Sequence, residues 1–448
     1  MASWAPCKVL PSVEPVMTML MTSLLNSKCR MLWCTVALCC IVSPAIGALF
    51  ESSAPDVLTL TVDDALGLFL KRNLDLLMAQ YGIEFAKGLE VTAKLFPNPV
   101  LSVDGTGSTT KSLHQVGALS GRVDQLFELA GKRRYRMESA RFGTQSAEAA
   151  FTDAVRILGF SVKQAFYKAL QARHKLELAK ENSANFSDVL RVNTIRFKKG
   201  VIAEADLIKL RVQYVDFQNQ IITATQDSLS AQNTLKGLLA VRPTTDLILN
   251  DELRYKPMTL SVEALRQEAL VTRPDVLAKE RALSQRAADQ KLARALRVPD
   301  VTVGADAVIQ GPQGPNTDHQ VGVGLSVPLP LFNRNQGGIL QADAVRQAAE
   351  ADLNKTRLQV EIDVESAYRD FVQTEMLVKA YQSGVLDDAR ASKEIAVKAY
   401  ERGGTSILDV LDAFRTFNTT MQGYFDALFG YQRSLLEIDA AVGREVTK

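Results

Sequence analysis

The chain has 448 residues, more than one compact domain ordinarily holds, so two or more packing units are expected. Its 52 basic and 50 acidic residues balance, which excludes the basic excess of a nucleic-acid binder. The 47% apolar content suits an ordered protein with a buried core.

All five cysteines (Cys7, Cys29, Cys34, Cys39, Cys40) and both tryptophans (Trp4, Trp33) fall in the first 40 residues. Residues 31–42 form a short apolar run behind Lys28 and Arg30, followed by the small or turn-forming Ser43, Pro44, Ala45, Gly47 and Ala48. A basic flank, a short apolar run and a small-residue exit describe a secretory signal over 1–48, cleaved near Ala48. The run is short for a bilayer span. The alternatives are a buried N-terminal helix or a lipid-modified cysteine, although Leu38 and Cys39 stand where a small residue would precede a lipidated Cys39 or Cys40. Cleavage removes three basic residues and one acidic residue. The mature chain is then neutral and free of cysteine, so disulfides and thiolate metal sites are excluded there.

The remainder reads as a duplication with an offset near 200 residues. Leu60-Thr61-Val62-Asp63 parallels Leu260-Ser261-Val262-Glu263, and Asn73-Leu74-Asp75-Leu76 parallels Arg273-Pro274-Asp275-Val276. Pro99 matches Pro299, Gln115-Val116-Gly117 matches Gln320-Val321-Gly322, and Leu126-Phe127 matches Leu331-Phe332. Lys199-Gly200 matches Arg402-Gly403, and Asp206 matches Asp409. The repeats are assigned to 49–241 and 242–448. Each reads as helix, two strands, a very long helix and a second helix.

The first strand pair is predicted at 100–107 and 115–123, the second at 300–310 and 320–329. Val301, Val303, Ala305, Ala307 and Ile309 alternate with other residues, as do Val321, Val323, Leu325 and Val327. Period two places one face in an apolar medium, and about ten residues suffice for a tilted bilayer crossing. A soluble hairpin under a helix is the competing reading. Residues 131–199 lack proline and hold little glycine, and so do 339–400 apart from Gly384. Helices of that length, about 100 Å each, do not belong inside a compact domain. The helices that follow carry coiled-coil seams at three-four spacing. One runs Leu207, Leu210, Tyr214, Phe217, Ile221, Ala224, Ser228, Ala231, Leu235, Leu238; the other runs Val410, Phe414, Phe417, Met421, Tyr424, Leu428, Tyr431, Leu435, Ile438. Their aromatics read as core, not as a cofactor box. Four strands cannot close a barrel and lipid does not tolerate open edges, so spanning strands require several chains to pool them. The fold class is therefore mainly α with a β-barrel part, the barrel and a helical tunnel being shared.

At this point the chain resembles the TolC-like outer membrane efflux protein family over about residues 57–443. The resemblance is carried by Gly131-Lys132-Arg133-Arg134 after Leu126-Phe127, by the strand-flanking prolines, by Gly404-Thr405-Ser406-Ile407-Leu408-Asp409-Val410-Leu411-Asp412-Ala413, and above all by the duplicated order. Pro328-Leu329-Pro330-Leu331-Phe332-Asn333-Arg334-Asn335-Gln336-Gly337 looks most like the CzcC-type branch of heavy-metal efflux systems. The resemblance implies a homotrimer with a twelve-stranded barrel and a periplasmic tunnel. It also implies a periplasmic adaptor and an inner-membrane pump of the resistance-nodulation-division class as partners. Within the family, acids matching Asp409 and Asp412 ring the periplasmic aperture, where such a ring favours cations. The bland alternative is that acids in a first helical turn stabilise the helix start, and Asp206 reads that way. Lys199, Gly200, Arg402, Gly403 and Gly404 mark hairpin tips, which the resemblance turns toward the adaptor, and Asp206 lies beside them.

His114 and His319 lie in the strand-to-strand loops and His174 in a long helix, none with a second ligand at metal-site spacing. Residues 311–320 read as an exposed loop. Gly131-Lys132 is followed by arginine, so it is no Walker motif. No nucleophile–base pair, cofactor motif or metal-ligand set appears, so an enzyme is not expected. Passive conduction is expected instead, in efflux or, as the alternatives, in type I protein secretion or with no channel at all as a periplasmic coiled-coil scaffold.

Overall fold

The computed structural model describes residues 57–107, 116–310 and 319–447. The signal expected at 1–48, the cysteines, His114 and the loop at 311–318 lie outside the described residues. The unit Asp56–Lys448 is described by itself.

It is mainly helical. The order is β1 (Val57–Leu60), α1 (Val62–Arg72), α2 (Leu74–Lys94), β2 (Val100–Gly107), β3 (Val116–Phe127), α3 (Lys132–Lys198) and α4 (Glu204–Leu238). The same succession follows as β4 (Asp246–Leu249), α5 (Val262–Thr272), α6 (Pro274–Ala295), β5 (Val301–Gln310), β6 (Gln320–Ser326), α7 (Gln336–Ala380), a π-helical turn (Tyr381–Val385), α8 (Leu386–Glu401) and α9 (Ile407–Val442). The 67 residues of α3 span about 100 Å at the α-helical rise.

Four sequence expectations need correcting. The leading helix of each half is two helices, broken at Asn73 and Arg273. Asn73 is buried; its side chain accepts from the Leu76 amide at 2.9 Å and donates to the Leu238 carbonyl at 2.8 Å. Arg273 precedes Pro274, whose ring pushes the preceding residue to extended backbone. Second, β1 and β4 pair in parallel, Val57 with Asp246 through Leu60 with Leu249, a short sheet that four-residue runs did not reveal. Third, β6 stops at Ser326 because Pro328 and Pro330 lack the amides a ladder needs. Fourth, the expected helix 339–400 is interrupted at Tyr381–Val385, where Gly384 takes φ 113, a left-handed value that glycine adopts without steric cost.

The other strands form one antiparallel sheet in the order β2-β3-β5-β6, leaving β2 and β6 as edges. The main core joins both halves: Phe69, Phe166, Leu170, Leu235, Val360, Val364, Phe371, Tyr431 and Ile438 belong to one buried cluster. The α9 seam is buried at Val410, Phe414, Phe417, Leu428, Tyr431, Leu435 and Ile438. One polar layer interrupts it. Asn182 donates to Asn418 at 2.9 Å, and Asn418 donates to Gln220 at 3.0 Å. A buried amide pair of this kind fixes the register between long helices, here α3, α4 and α9.

Candidate functional site

Both hairpin turns end their first helix in the same way. After α3, Gly200 has φ 71; its amide reaches the Phe197 carbonyl at 2.8 Å, and the Val201 amide reaches Arg196 at 2.9 Å. After α8, Gly403 has φ 78; its amide reaches Tyr400 at 3.0 Å, and the Gly404 amide reaches Ala399 at 2.8 Å. These paired bonds are the Schellman closure, which needs a residue that tolerates positive φ. The Arg196 guanidinium donates to the Glu401 carbonyl at 2.6 Å and the Tyr400 hydroxyl to Asn193 at 2.9 Å. Lys199, Gly200, Arg402, Gly403 and Gly404 therefore share one end of the molecule and are exposed there.

Beneath them a separate core holds the tips together. Phe186 lies 5.0 Å from Phe217 and 5.4 Å from Phe414 between ring centroids, with Leu210, Ile407 and Val410 packed around them. Asp409 and Asp412 stand on the exposed side of α9 above this core. Asp409 closes a capping box: its carboxylate accepts from the Ser406 amide at 2.9 Å, from the Ser406 hydroxyl at 2.8 Å and from the Thr405 hydroxyl. These donors, Thr405 first, hold its carboxyl below the usual aspartate range. Asp412 lies 2.5 Å from Arg415, both exposed. Asp206, half-buried in the first turn of α4, lies 3.4 Å from Lys209, and its helix lacks a side-chain cap at Ala203. The two acids at the start of α9 thus differ: Asp409 is committed to the helix start, and Asp412 pairs with a solvent-exposed arginine.

A cleft of about 610 Å³ opens between α3, α8 and α9, floored by Val410, Phe414, Phe417 and Met421. The Lys393 ammonium sits 3.8 Å from the Phe417 ring centroid, and burial holds it below the usual lysine range. Sequence reasoning missed this lysine because only the fold brings α8 over the α9 seam.

The four-stranded sheet has two unlike faces. Leu101, Val103, Leu119, Val123, Val303, Ile309, Val321, Val323 and Leu325 stand exposed on one of them. Asp104, Arg122, Asp124 and Asp306 stand on the other. His174 stacks on Phe425 at 5.5 Å and lies 3.3 Å from Glu177, and His319 is exposed. Among the described residues there is no group of three or more His, Cys, Asp or Glu that could hold a metal ion. No described helix is long and apolar enough to cross a membrane, which says nothing about strands.

Among the described residues, two helix faces lack cover. On α2, Leu74, Met78, Tyr81, Phe85 and Leu89 are exposed at helical spacing; on α4, Ile208, Val212, Val215, Ile222 and Leu229 are. Their counterparts in the second half, α6 and α9, pack on α7 and on α3 as well, whereas α2 and α4, of these two, pack on α3 alone.

Comparison with known proteins fits this geometry. The family model described as outer membrane efflux protein matches residues 65–241 and again 265–444. The cobalt-zinc-cadmium resistance protein CzcC of Cupriavidus metallidurans is 25% identical over 387 residues, covering 86% of this chain and 90% of its own. The alkaline protease secretion protein AprF of Pseudomonas aeruginosa is 24% identical over 322 residues, covering 68% and 65%. A solved structure of CusC, described by its folding and transmembrane channel formation, superimposes with a TM-score of 0.72 at 20% identity, covering 86% of this chain and 92% of that one. Matched by one family model through each half in turn, the chain belongs to the outer membrane efflux protein family, as a TolC-like, CzcC-type protein of the outer membrane.

Proposed function

We propose that this chain is one of three identical subunits of an outer-membrane duct that passively conducts exported substrate from periplasm to exterior. The observation that carries this reading is the mismatch between α6 and α9, which pack on both long helical arms, and α2 and α4, which pack on one. Within the chain, α3 covers α6: Ser139 donates to Asp289 at 2.5 Å, and Ser146 donates to the Ala278 carbonyl at 3.0 Å. It also covers α9 through the Asn182–Asn418 layer. If 49–241 and 242–448 are repeats, α7 and α8 stand where α3 does, and they lack the corresponding load. The bare faces of α2 and α4 supply it from the next copy. Met78, Phe85 and Leu89 fall at the positions of Ala278, Gln285 and Asp289, the face that α6 turns to α3. Leu340, Leu358 and Ile362 are exposed on α7 to receive them. The sheet gives the same rule: β3 pairs β5 inside the chain, so β6 pairs β2 of the next copy. A head-to-tail contact of this kind forms a ring where its rotation closes; closure removes both sheet edges, as lipid requires, and leaves the apolar face outward and the charged face toward the bore.

The hairpin tips then point into the periplasm, where Lys199, Gly200, Asp206, Arg402, Gly403 and Gly404 would meet a periplasmic adaptor coupled to a resistance-nodulation-division pump. The likeness to a cobalt-zinc-cadmium resistance protein favours heavy-metal cations as cargo. The likeness to a protease secretion protein keeps a type I secretion duct as the second reading. Deleting the gene and testing growth on a panel of metals and drugs separates them. Metal sensitivity supports efflux. Loss of a secreted protein with unchanged metal tolerance supports secretion.

A further inference from the structure

We infer that Arg122, Asp124 and Asp306 form a charge-setting station in the wall of the duct, distinct from the acids at the hairpin tips. This rests on the reading that the polar face of the sheet lines the bore.

The four described strands of the sheet carry four charged residues in all, and every one lies on the same face. They sum to −2 per chain, and a single residue, Arg122, supplies the positive charge. Its Nε donates to both carboxylate oxygens of Asp124 at 2.9 Å. Its Nη1 lies 3.6 Å from Asp306, which stands directly opposite it on β5. The guanidinium is laid along the sheet instead of projecting from it, and the neighbouring glycines make this geometry available. A Cβ at Gly304 would stand 2.5 Å from Arg122 Nη2 and would collide with Asp124 Oδ1; one at Gly324 would stand 3.1 Å from Arg122 Nη2. A Cβ at Gly322 would lie 2.9 Å from Asp306 Oδ2. Three glycines on two adjacent strands thus floor a recess that holds the ion triad flat. The triad is still open to solvent, with side-chain exposures of 37%, 23% and 31% for Arg122, Asp124 and Asp306, so its charge acts on ions in the adjoining water.

Arg122 therefore works as a tethered counter-cation. It offsets one of two carboxylates, leaves this section of the bore weakly negative, and, lying flat, does not narrow it. Rings of side-chain charge set ion preference in a pore, and Arg122 sets how strong that preference is here.

Purified channels in planar bilayers under a potassium chloride gradient test this. Arg122→Gln shifts the reversal potential toward the potassium equilibrium potential, and Asp306→Asn shifts it the opposite way. The double variant Arg122→Gln/Asp124→Asn restores the net charge and returns the reversal potential to the wild-type value, which a purely structural role would not do. Gly304→Ala lifts the guanidinium off the wall and lowers unitary conductance. Both potential shifts shrink in 1 M salt, where the screening length is about 3 Å against about 10 Å at 0.1 M. Open channels from all four variants with wild-type reversal potential and conductance would overturn the inference, leaving the triad as a pin for the sheet. Failure of the wild-type protein to conduct at all would instead overturn the duct reading beneath it.

Discussion

Phe85 offers the sharpest test of ring closure. It is 71% exposed in the single chain, on the same face of α2 as Tyr81 at 63% and Met78 at 64%. An aromatic side chain buries about 150–250 Å², so covering the exposed part of Phe85 removes about 140 Å² from water. At about 25 cal/mol per Å² this contributes roughly 3.5 kcal/mol to each subunit contact. Phe85→Asp forfeits that contribution and places a carboxylate in an apolar seam. The dissociation constant should rise by at least two orders of magnitude, at about 1.4 kcal/mol per decade. The fold of the single chain should survive, because this face of α2 is turned away from α3. Native mass spectrometry in detergent reads the subunit count, and circular dichroism reads the helix content. A variant that stays trimeric at wild-type dilution would refute the closure through α2. A variant that loses its helix content would show that Phe85 packs inside its own chain.

Replacing Asp409 and Asp412 together by Asn should lower cation preference and weaken block by multivalent cations in single-channel recordings, while Asp206→Asn should do less because no second acid stands one turn on; unchanged selectivity would reduce the pair to helix-start residues. Ser406→Ala removes the acceptor for the Asp409 amide and one donor to its carboxylate; it should cost about 1 kcal/mol at the start of α9, seen as faster amide exchange there. Asp409 has a depressed folded pKa, so its stabilising contribution is present above the ordinary aspartate value and is lost as pH falls through the lower folded one. Exchange at the α9 start, corrected for the intrinsic rate, should therefore rise only below about pH 4. Gly384→Ala forces a side chain into positive φ at the π-helical turn and should destabilise the α7–α8 junction by about 1–3 kcal/mol; a melting temperature that holds or rises would contradict this.

Much of the fold was legible because long-range packing agrees with local pattern in the coiled coils. The three-four spacing from Val410 to Ile438 marks residues that the structure buries or half-buries. Glycines after α3 and α8 marked the turns because no other residue adopts their backbone as readily. Junctions were harder. The break at Asn73 combines a local cap on the Leu76 amide with a bond to the Leu238 carbonyl, 165 positions away, and nothing local announces that second partner. The β1–β4 pair is four residues long on each side and is specified by contact between the halves, not by periodicity. At the tips, Asp409 was legible as an acid in a first helical turn, whereas its capping box with Ser406 and the recess around Arg122 did not show. Alternation gave the two faces of each strand, but only the register β3-β5-β6 sets Gly304 and Gly324 beside the guanidinium.

On the proposed reading, three copies of this chain enclose one conducting path through the outer membrane. Purified from the outer membrane in mild detergent, the protein should run in native mass spectrometry as three chains, and the same preparation should open ion-conducting channels in planar bilayers. A monomer that neither assembles nor conducts would contradict it.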